Sequence, residues 1–320
     1  MLRSSNARLL PFIAIVAASA LAACSKTAEA PPPPAAEPAP TTVVETAPPK
    51  PANVYAFTIG EFSAMALRDG GMELPNDNKV FGVGRTPEEV AALLGAAGQP
   101  ADKLALTIEP LLVKAKDKVL LFDTGAGTNF GSGSGHLPGS LAEAGIDPAS
   151  VTDIFISHSH GDHVGGLLNA QGALAFPNAA IHMSKAEWKD MSINEQYAAV
   201  NTVIKPKVVA FAPGAELVPG VVKAVDIKGH TPGHSGYLIT SGADSLLYVG
   251  DSMHHFVVSV QKPEWTIAFD RDAPTAQKSR AELIAASAAS GQRVYAVHFP
   301  FPGIGKFEKQ GDKFVWVAEP

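Results

Sequence analysis

ISHSHGDHVGG, residues 156–166, is the most informative stretch of this sequence. Three of the chain's ten histidines lie here within six positions and enclose an aspartate; the four side chains are His158, His160, Asp162 and His163. A histidine-rich loop can be a hydrogen-bonded turn without a metal. At this density, however, buried imidazole and carboxylate groups need either a shared cation or an extensive hydrogen-bond network, because each is costly to bury alone. The stretch therefore predicts a metal site.

The spacing of these four side chains indicates two neighbouring metal positions. His158 and His160 stand two residues apart in a loop and can point to one side. Asp162 and His163 are adjacent on a turning backbone and can serve a second position. The glycines of the stretch let the chain turn and let a helix pack closely.

Further ligands are expected at the ends of distant strands, where a rigid sheet can hold them. Three residues meet this condition, because each follows an apolar strand run and stands beside turn residues: His230 in KGHTPGHSGY, Asp251 in SLLYVGDSM and His298 in VYAVHFPFPGIG. Together with the first stretch they make five histidines and two aspartates. This set is sufficient for two metal ions that share one carboxylate.

The first 53 residues predict export and tethering. Residues 1–23 contain two arginines and an apolar run that is too short for an ordinary spanning helix, as in a signal peptide. They end in LAA before Cys24, the only cysteine of the chain. This resembles a bacterial lipobox, in which the cysteine is lipidated after cleavage; a plain secretory signal is the alternative. Residues 24–53, rich in proline and alanine, predict an extended tether.

The remaining residues, 54–320, predict one acidic globular domain. Loss of two of the 25 basic residues with the signal leaves the mature chain, tether included, with 23 basic and 31 acidic residues, a net charge of −8. Since no basic run is present, this composition argues against nucleic-acid binding. We expect a small-molecule substrate and a location in the bacterial cell envelope, on the periplasmic side, with attachment to the membrane through a lipid on Cys24.

Strand and helix signals alternate along this domain and predict a mixed α/β fold. Runs rich in β-branched and large apolar residues predict strands at VYAFTIG, FSAMALRD, LALTIEPLLVKAK, KVLLFDTG, VTDIFIS, AAIHMS, VVKAVDI, GYLITS, SLLYVGD and RVYAVH. TPEEVAALLGAAG begins with Thr86, Pro87 and Glu89, a capping box with proline in the first helical turn. PTAQKSRAELIAASAAS predicts a helix that ends at Gly291, whereas the polar and aromatic residues from Lys185 to Val203 predict irregular structure. Helices outside two packed sheets fit this order.

Taken together, the motifs H-S-H-G-D-H, G-H-T-P-G-H, V-G-D and a late histidine after a strand resemble the metallo-β-lactamase superfamily of metallohydrolases. The resemblance covers most of residues 54–320. It implies an αβ/βα four-layer sandwich with the metal site at the edge between the two sheets. It also implies the ligands: one metal is held by His158, His160 and His230, the other by Asp162, His163 and His298, and Asp251 bridges them.

The same resemblance assigns two supporting residues. FDTGAG, residues 122–127, is similar to the family's first motif, in which Asp123 would be a buried residue that supports a ligand without binding metal. His234 matches the second histidine of its motif and would support the loop.

Differences between this chain and particular branches of the superfamily restrict the activities that we expect of it. β-Lactamases of this fold tend to have cysteine or serine where this chain has Asp251. Glyoxalase II enzymes carry a helical glutathione-binding region around and beyond the last histidine, whereas 22 residues follow His298 here, and nuclease branches need a large insertion. The small-molecule esterase-like group remains. YAFTIGEFSAMALRDG, LLFDTGAGTNFG and HFPFPGIG look like methyl parathion hydrolase and its periplasmic relatives, and lactone-opening enzymes are next nearest.

The expected function is a dinuclear metal-dependent hydrolase for small neutral esters, either organophosphate triesters or aryl esters. Two divalent ions can hold a bridging water as hydroxide and stabilise charge on the oxygen of a C=O or P=O group, with Asp162 and Asp251 orienting the hydroxide. Imidazole and carboxylate ligands suit Zn²⁺ best and are also compatible with Mn²⁺, Fe²⁺ or Co²⁺. The alternatives are a lactonase for acyl-homoserine-type lactones and a non-catalytic metal-binding envelope lipoprotein.

Aromatic residues and histidines between the ligand motifs are candidates for the substrate pocket. Phe130, Trp188 and Tyr197 could form an apolar mouth above the metals, or could equally cover the core at the bases of loops. Two histidines follow Asp251 closely, and the first of them, His254, is assigned to the pocket because histidines near a metal often support it.

Overall fold

The computed structural model describes residues 52–319, in which most strands belong to two large sheets. The strands are β1 (Val54–Ile59), β2 (Phe62–Leu67), β3 (Gly70–Pro75), β4 (Phe81–Val83), β5 (Lys103–Ile108), β6 (Leu111–Ala115), β7 (Lys118–Phe122), β8 (Asp153–Phe155), β9 (Ala180–Ser184), β10 (Val208–Phe211), β11 (Glu216–Val218), β12 (Val222–Asp226), β13 (Ser235–Ser241), β14 (Asp244–Tyr248), β15 (Thr266–Ile267), β16 (Arg293–Tyr295), β17 (Ile304–Gln310) and β18 (Lys313–Ala318). The predicted signal peptide, Cys24 and all but the last two residues of the predicted tether lie outside the described residues.

The helices are short, apart from the last one. The α-helices are α1 (Pro87–Ala96), α2 (Leu137–Glu143), α3 (Gly161–Val164), α4 (Lys185–Ile193), α5 (Ala198–Ile204), α6 (Val258–Gln261) and α7 (Ala273–Ser290). Single 3-10 turns lie at Gly131–Gly133, Pro148–Ser150, Gly165–Leu167, Glu195–Tyr197, Lys205–Lys207 and Gly250–Ser252. Within residues 52–319, no helix combines the length and the apolar composition that crossing a bilayer requires.

Each large sheet contains seven strands. The first has the order β1-β2-β6-β7-β8-β9-β10; neighbours from β1 to β7 are antiparallel, and those from β7 to β10 are parallel. The second has the order β11-β12-β13-β14-β16-β17-β18, in which β14 and β16 are parallel and all other neighbours antiparallel. β3 pairs with β5, and β4 with β15, in two small sheets.

Alternation along the strands divides their side chains between two apolar layers. Leu120 and Phe122 of β7 join the core between the two sheets, whereas Leu121 joins a second cluster with residues of α2, α4 and α5. Successive strand residues point to opposite faces, so these helices cover the outer face of the first sheet. Ile284 of α7 packs in the same way against strands of the second sheet. The layer order is therefore helix, sheet, sheet, helix, which confirms the predicted αβ/βα sandwich.

Capping signals in the sequence correctly predicted the start of α1 and the end of α7. Thr86 and Glu89 form the expected capping box, in which each side chain accepts a hydrogen bond from the other residue's backbone N–H. Gly291 ends α7 in the left-handed conformation, with a φ of 68°, which glycine adopts without steric cost.

Two predictions of secondary structure are wrong. LALTIEPLLVKAK is not one strand but β5 and β6, which belong to different sheets; Pro110 lies between them and has no N–H for a continuous ladder. The stretch from Lys185 to Val203 is largely helical, because it contains α4 and most of α5. Ser184 begins α4 by accepting a hydrogen bond from the backbone N–H of Glu187 at 3.1 Å.

Candidate metal centre

The seven predicted ligands come together where loops from both large sheets meet. They form two groups, and within each group the ligand atoms all lie within 4.8 Å of one another: His158, His160, His230 and Asp251 in the first group, and Asp162, His163 and His298 in the second. The first sheet contributes the four residues that follow β8, and the second sheet contributes the residues that follow β12, β14 and β16. The site therefore forms only when both halves of the fold are in place.

Glycines allow the histidine-rich loop to approach its neighbour. A Cβ at Gly165 would lie 2.1 Å from the carbonyl oxygen of Ala126, and one at Gly166 would lie 2.0 Å from that of Thr124. Because no side chain could be accommodated at these distances, only glycine lets the turn after α3 pack directly on the loop after β7.

The nitrogen atoms of the first group have the spacing that a small cation requires. His230 Nε2 lies 3.2 Å from His158 Nε2 and 3.1 Å from His160 Nδ1. Zinc binds imidazole nitrogen at about 2.0–2.1 Å, so tetrahedral ligands stand about 3.4 Å apart. Asp251 Oδ2 completes this group, at 3.4 Å from His230 Nε2 and 3.6 Å from His158 Nε2.

The other oxygen of Asp251 faces the second group. Asp251 Oδ1 lies 3.1 Å from His163 Nε2 and 3.0 Å from His298 Nε2, and Asp162 Oδ2 lies 3.6 Å from both nitrogens. Among the described residues, neither His163 Nε2 nor Asp251 Oδ1 has a hydrogen-bond partner, although both atoms are buried. Buried polar atoms are almost always paired. This donor set therefore fits two cations with one carboxylate between them.

Asp123 fixes the ring of His163. It follows β7 with a φ of 58°, and its carboxylate lies 2.7 Å from His163 Nδ1. The same carboxylate accepts hydrogen bonds from the backbone N–H and the hydroxyl of Ser157 and from the hydroxyl of Tyr248, each at 2.7 Å. With Nδ1 engaged, Nε2 is the nitrogen left for a cation. The structure thus places Asp123 beside His163, a candidate ligand, on the side away from the other ligand atoms.

Asp270 and Arg280 support His230, and the sequence did not reveal either residue. Asp270 Oδ1 lies 3.0 Å from His230 Nδ1, and its Oδ2 accepts a hydrogen bond from Arg280 at 2.6 Å. Arg280 also donates to the carbonyl oxygen of Ser252 at 2.7 Å. Both members of this ion pair are fully buried, so a charge pair on α7 and the preceding loop holds the first group in place.

His234 and the backbone hold two more members of the centre. His234 donates from Nδ1 to the carbonyl oxygen of Ile227 at 3.0 Å and accepts at Nε2 from the backbone N–H of Asp251 at 2.9 Å. It therefore positions the residue that both groups share. His298 donates from Nδ1 to the carbonyl oxygen of Thr107 at 2.6 Å.

Charges within the centre divide the histidines into two kinds. Burial lowers the pKa of His158 and His160, and lowers that of His230 to about 3. Burial also opposes protonation of His163 and His298, but the nearby carboxylates, Asp251 first among them, outweigh it and raise the pKa of both. Since imidazole binds metal in its neutral form, cations entering the second group would displace protons.

A cavity of about 300 Å³ opens above both groups of ligands. Its remaining wall is mainly apolar and includes Met72, Leu106, Phe130, Tyr197, His254 and Phe269. Three of the four predicted pocket residues therefore line it. His254 is buried, and its Nε2 lies 3.2 Å from Asp251 Oδ2. The neighbouring His255 instead accepts hydrogen bonds at Nδ1 from the backbone N–H groups of Val257 and Val258.

Trp188 lies outside this cavity. It is half-buried on α4 and packs against the apolar cluster on the outer face of the first sheet. The structure places it in the packing position that the sequence left as the alternative, because α4 directs this side chain towards the sheet.

Replacing Trp188 by alanine should lower the free energy of unfolding by about 1–3 kcal/mol, less than for a fully buried tryptophan. The value of kcat/KM for aryl esters should stay within about twofold, as measured on protein that remains folded. Phe130→Ala is the matched comparison, because Phe130 lines the cavity and is 47% exposed; it should change kcat/KM and leave stability nearly unaltered. A fall in kcat/KM for Trp188→Ala without loss of stability would contradict this placement.

Known proteins resemble this chain in both sequence and fold. Residues 110–298 match the model of the Metallo-beta-lactamase superfamily. A probable metallo-hydrolase of Mycobacterium tuberculosis is 25% identical over 187 residues, which are 48% of this chain and 58% of that protein, so the chain matches less than two thirds of that relative. AidC, a dizinc quorum-quenching lactonase solved in complex with the product N-hexanoyl-L-homoserine, is 29% identical with a TM-score of 0.78, covering 84% of this chain and 98% of that one. The hydrolase AbOPH is 26% identical with a TM-score of 0.76, covering 85% of this chain and 99% of that one.

Proposed function

The chain belongs to the metallo-beta-lactamase superfamily, and from this premise we propose that it hydrolyses the ester bond of small neutral substrates, with lactones as the first candidates. One observation carries the proposal. The two oxygens of Asp251 face two separate ligand groups at the floor of one cavity. A structural metal site is normally closed by four protein ligands and has no need of a substrate cavity.

The centre would hold two divalent cations, one in each group, with Asp251 shared. When bound, they would polarise the scissile carbonyl or phosphoryl group and activate a water molecule. Asp162 lines the cavity and is ionised: burial would favour its neutral form, but His163 and His298 outweigh burial and lower its pKa to about 2. Its carboxylate can therefore orient a water molecule by accepting a hydrogen bond.

His254 is placed to contact the substrate. Neither of its ring nitrogens has a hydrogen-bond partner among the described residues, and the side chain forms part of the cavity wall. An N–H of this ring can donate to an oxygen of the substrate or of the departing alcohol. We propose His254 for this role.

The cavity favours uncharged substrates. Among the described residues that line it there is no lysine or arginine, and Met72, Leu106 and Phe269 form much of the wall away from the ligands. Away from the ligand groups, a charged part of the substrate would therefore have no protein cation to pair with, and burying it there would be costly.

The likeness to AidC supports lactones as the substrate class, because it extends over 98% of that lactonase at 29% identity. A second candidate class is aryl esters and neutral phosphotriesters. Phe130 and Phe269 favour it, since both line the cavity and are 47% and 36% exposed. Aromatic rings at the mouth can stack on an aryl leaving group.

The test combines metal content with turnover. The purified protein should contain close to two divalent ions per chain, and a chelator should remove both the ions and the activity, which Zn²⁺ should restore. The substrates are an N-acyl homoserine lactone, an aryl acetate and a neutral phosphotriester. If none of the three is hydrolysed by protein that contains two ions, the enzyme proposal fails in favour of a non-catalytic metal-binding protein.

A further inference from the structure

A second and larger cavity adjoins the metal cavity, and we infer that it receives an aliphatic chain of the substrate. Its volume is about 830 Å³. The two cavities share Gly161, Gln196 and Tyr197 in their walls. The inference rests on the proposed ester hydrolysis, and it narrows the substrate class to esters or lactones that carry an unbranched hydrocarbon chain. We call this second cavity the chain chamber.

The walls of the chain chamber are suited to hydrocarbon. Leu168, Ala175, Tyr197 and Val200 line it as half-buried residues, and all four pack against the apolar cluster on the outer face of the first sheet. Contact between such walls and a hydrocarbon chain removes apolar surface from water on both sides.

Asp69 is the one ionisable residue among the described residues that line the chain chamber, apart from Tyr197 at the junction. Its carboxylate already accepts hydrogen bonds from the protein. Asp69 accepts hydrogen bonds from the backbone N–H groups of Ala126, Gly135 and Leu137, at 2.9, 3.1 and 2.8 Å. Its side chain is fully buried behind these three donors. No charged side chain is therefore accessible among the described residues that line the chain chamber, and a hydrocarbon chain needs none.

Gly161 lies at the junction between the two cavities, where Asn129 Nδ2 donates a hydrogen bond to its carbonyl oxygen at 2.9 Å. The residues on either side, His160 and Asp162, belong to the two ligand groups. Because the two cavities share wall residues, a substrate whose ester lies over the ligands can extend its chain along this shared wall into the chain chamber.

The test is a series of p-nitrophenyl esters from acetate to decanoate. In the wild type, kcat/KM should rise about three- to fourfold for each added methylene until the chamber is filled, which corresponds to about 0.8 kcal/mol per methylene. Val200→Trp should fill part of the chamber, because Val200 of α5 lines it without lining the metal cavity. In this variant kcat/KM for acetate should stay within about twofold, while that for decanoate should fall by about 100-fold.

Ala199→Trp is the matched control, because Ala199 is exposed on the same helix and does not line the chain chamber. It should keep the wild-type dependence on chain length. Ala175→Phe, from another part of the chamber wall, gives a second filling variant if Val200→Trp does not fold. A flat series in the wild type, or an equal loss for acetate and decanoate in both filling variants, overturns the inference.

Binding measurements distinguish failure of this inference from failure of the proposed function. Calorimetry on the metal-loaded protein, with the carboxylate ions decanoate and acetate as ligands, should give much tighter binding of decanoate. Val200→Trp should remove this difference in affinity. If no ester is hydrolysed but this binding pattern holds, the proposed function fails and the chain chamber stands. If acetate esters are hydrolysed but decanoate binds no better than acetate, the chain chamber fails alone.

Glu187 carries a second, independent inference: we propose that it is a positioning residue that sets the distance between histidines from the two halves of the fold. Its side chain is fully buried. Oε1 accepts hydrogen bonds from the backbone N–H and the hydroxyl of Ser159, at 2.8 and 2.7 Å. Oε2 accepts from the hydroxyl of Thr231 at 2.7 Å and the backbone N–H of Gly233 at 2.9 Å. Ser159 stands between two histidines of the first group, and Thr231 follows the third.

The loop at Gly233 packs directly against the first turn of α4. A Cβ at Gly233 would lie 2.2 Å from both the backbone nitrogen of Glu187 and the hydroxyl oxygen of Ser184. That hydroxyl donates to the carbonyl oxygen of Gly233 at 2.7 Å. The first turn of α4 therefore holds the loop after β8 and the loop after β12 at a fixed separation.

Glu187→Gln tests this role, because glutamine keeps the size of the side chain but replaces one acceptor oxygen with an NH₂ donor. Two of the four donors then face a donor. We expect Co²⁺ affinity at the first group to fall by about 10- to 100-fold, with little change at the second group. Competition with a chromophoric chelator and the visible spectrum of bound Co²⁺ measure both. Glu195→Gln, at an exposed position near the end of α4, is the control.

The pattern of affinities decides between positioning and general stability. Selective weakening of the first group, with a second group that still binds Co²⁺, supports the positioning role. A lower melting temperature with both affinities unchanged, or an equal loss at both groups, overturns it.

Discussion

Replacing Asp251 by alanine should lower kcat/KM by about 10³-fold or more, because ions that polarise the reacting group contribute several kcal/mol to transition-state stabilisation. The physical reason is the position of this carboxylate. It lies 3.4 Å from His230 Nε2 through one oxygen and 3.0 Å from His298 Nε2 through the other. Removing it takes a ligand from both groups, so metal content and rate should fall together.

Metal analysis beside steady-state kinetics gives the measurement. Asp117→Ala, at an exposed turn between β6 and β7, should change neither quantity. Retention of two ions per chain in Asp251→Ala would contradict the shared position of this residue.

Asp270→Asn should lower the free energy of unfolding more than either Trp188→Ala or Glu187→Gln. Asp270 and Arg280 are both fully buried and pair at 2.6 Å. Removing one partner leaves an uncompensated buried charge, which costs about 3–5 kcal/mol. The same change disturbs the carboxylate that lies 3.0 Å from His230 Nδ1, so affinity for metal should fall by about 10- to 100-fold.

A double variant separates these two effects. Asp270→Asn with Arg280→Met removes the unpaired charge, so chemical denaturation should show part of the stability restored. Metal affinity should not recover, because His230 still lacks its carboxylate partner. If both quantities recover together, the effect of Asp270 on the metal is only a result of general stability.

The grouping of the seven candidate ligands could be predicted from sequence because they are marked by residue type and local spacing. His158, His160, Asp162 and His163 crowd one loop, and the three distant ligands each follow a strand. These strands and the helices α1 and α7 follow from alternation and capping signals that operate over a few residues. Such signals do not depend on the rest of the fold.

Glu187, Asp270 and Arg280 could not be predicted because their partners are distant in sequence. Glu187 contacts residues 28 to 46 positions away, and Asp270 lies 40 positions from His230. Arg280 stands in the middle of a helix, where a charged residue usually faces water. The sequence left Trp188 between a pocket position and a packing position for a related reason, since the helical character of α4 depends on packing against the first sheet more than on its own polar sequence.

The division of the ligands between the two halves of the fold has a thermodynamic consequence. Four ligands follow strand β8 of the first sheet, and three follow strands of the second. Cations in this centre would act as a cross-link between two layers that otherwise meet through apolar packing and buried hydrogen bonds. By mass action, a free metal concentration about 1,000 times the dissociation constant would add about 4 kcal/mol to the stability of the folded chain. The protein's resistance to unfolding would then vary with the metal supply of its surroundings, and starvation for metal would make the chain a better substrate for proteases as well as a poorer catalyst.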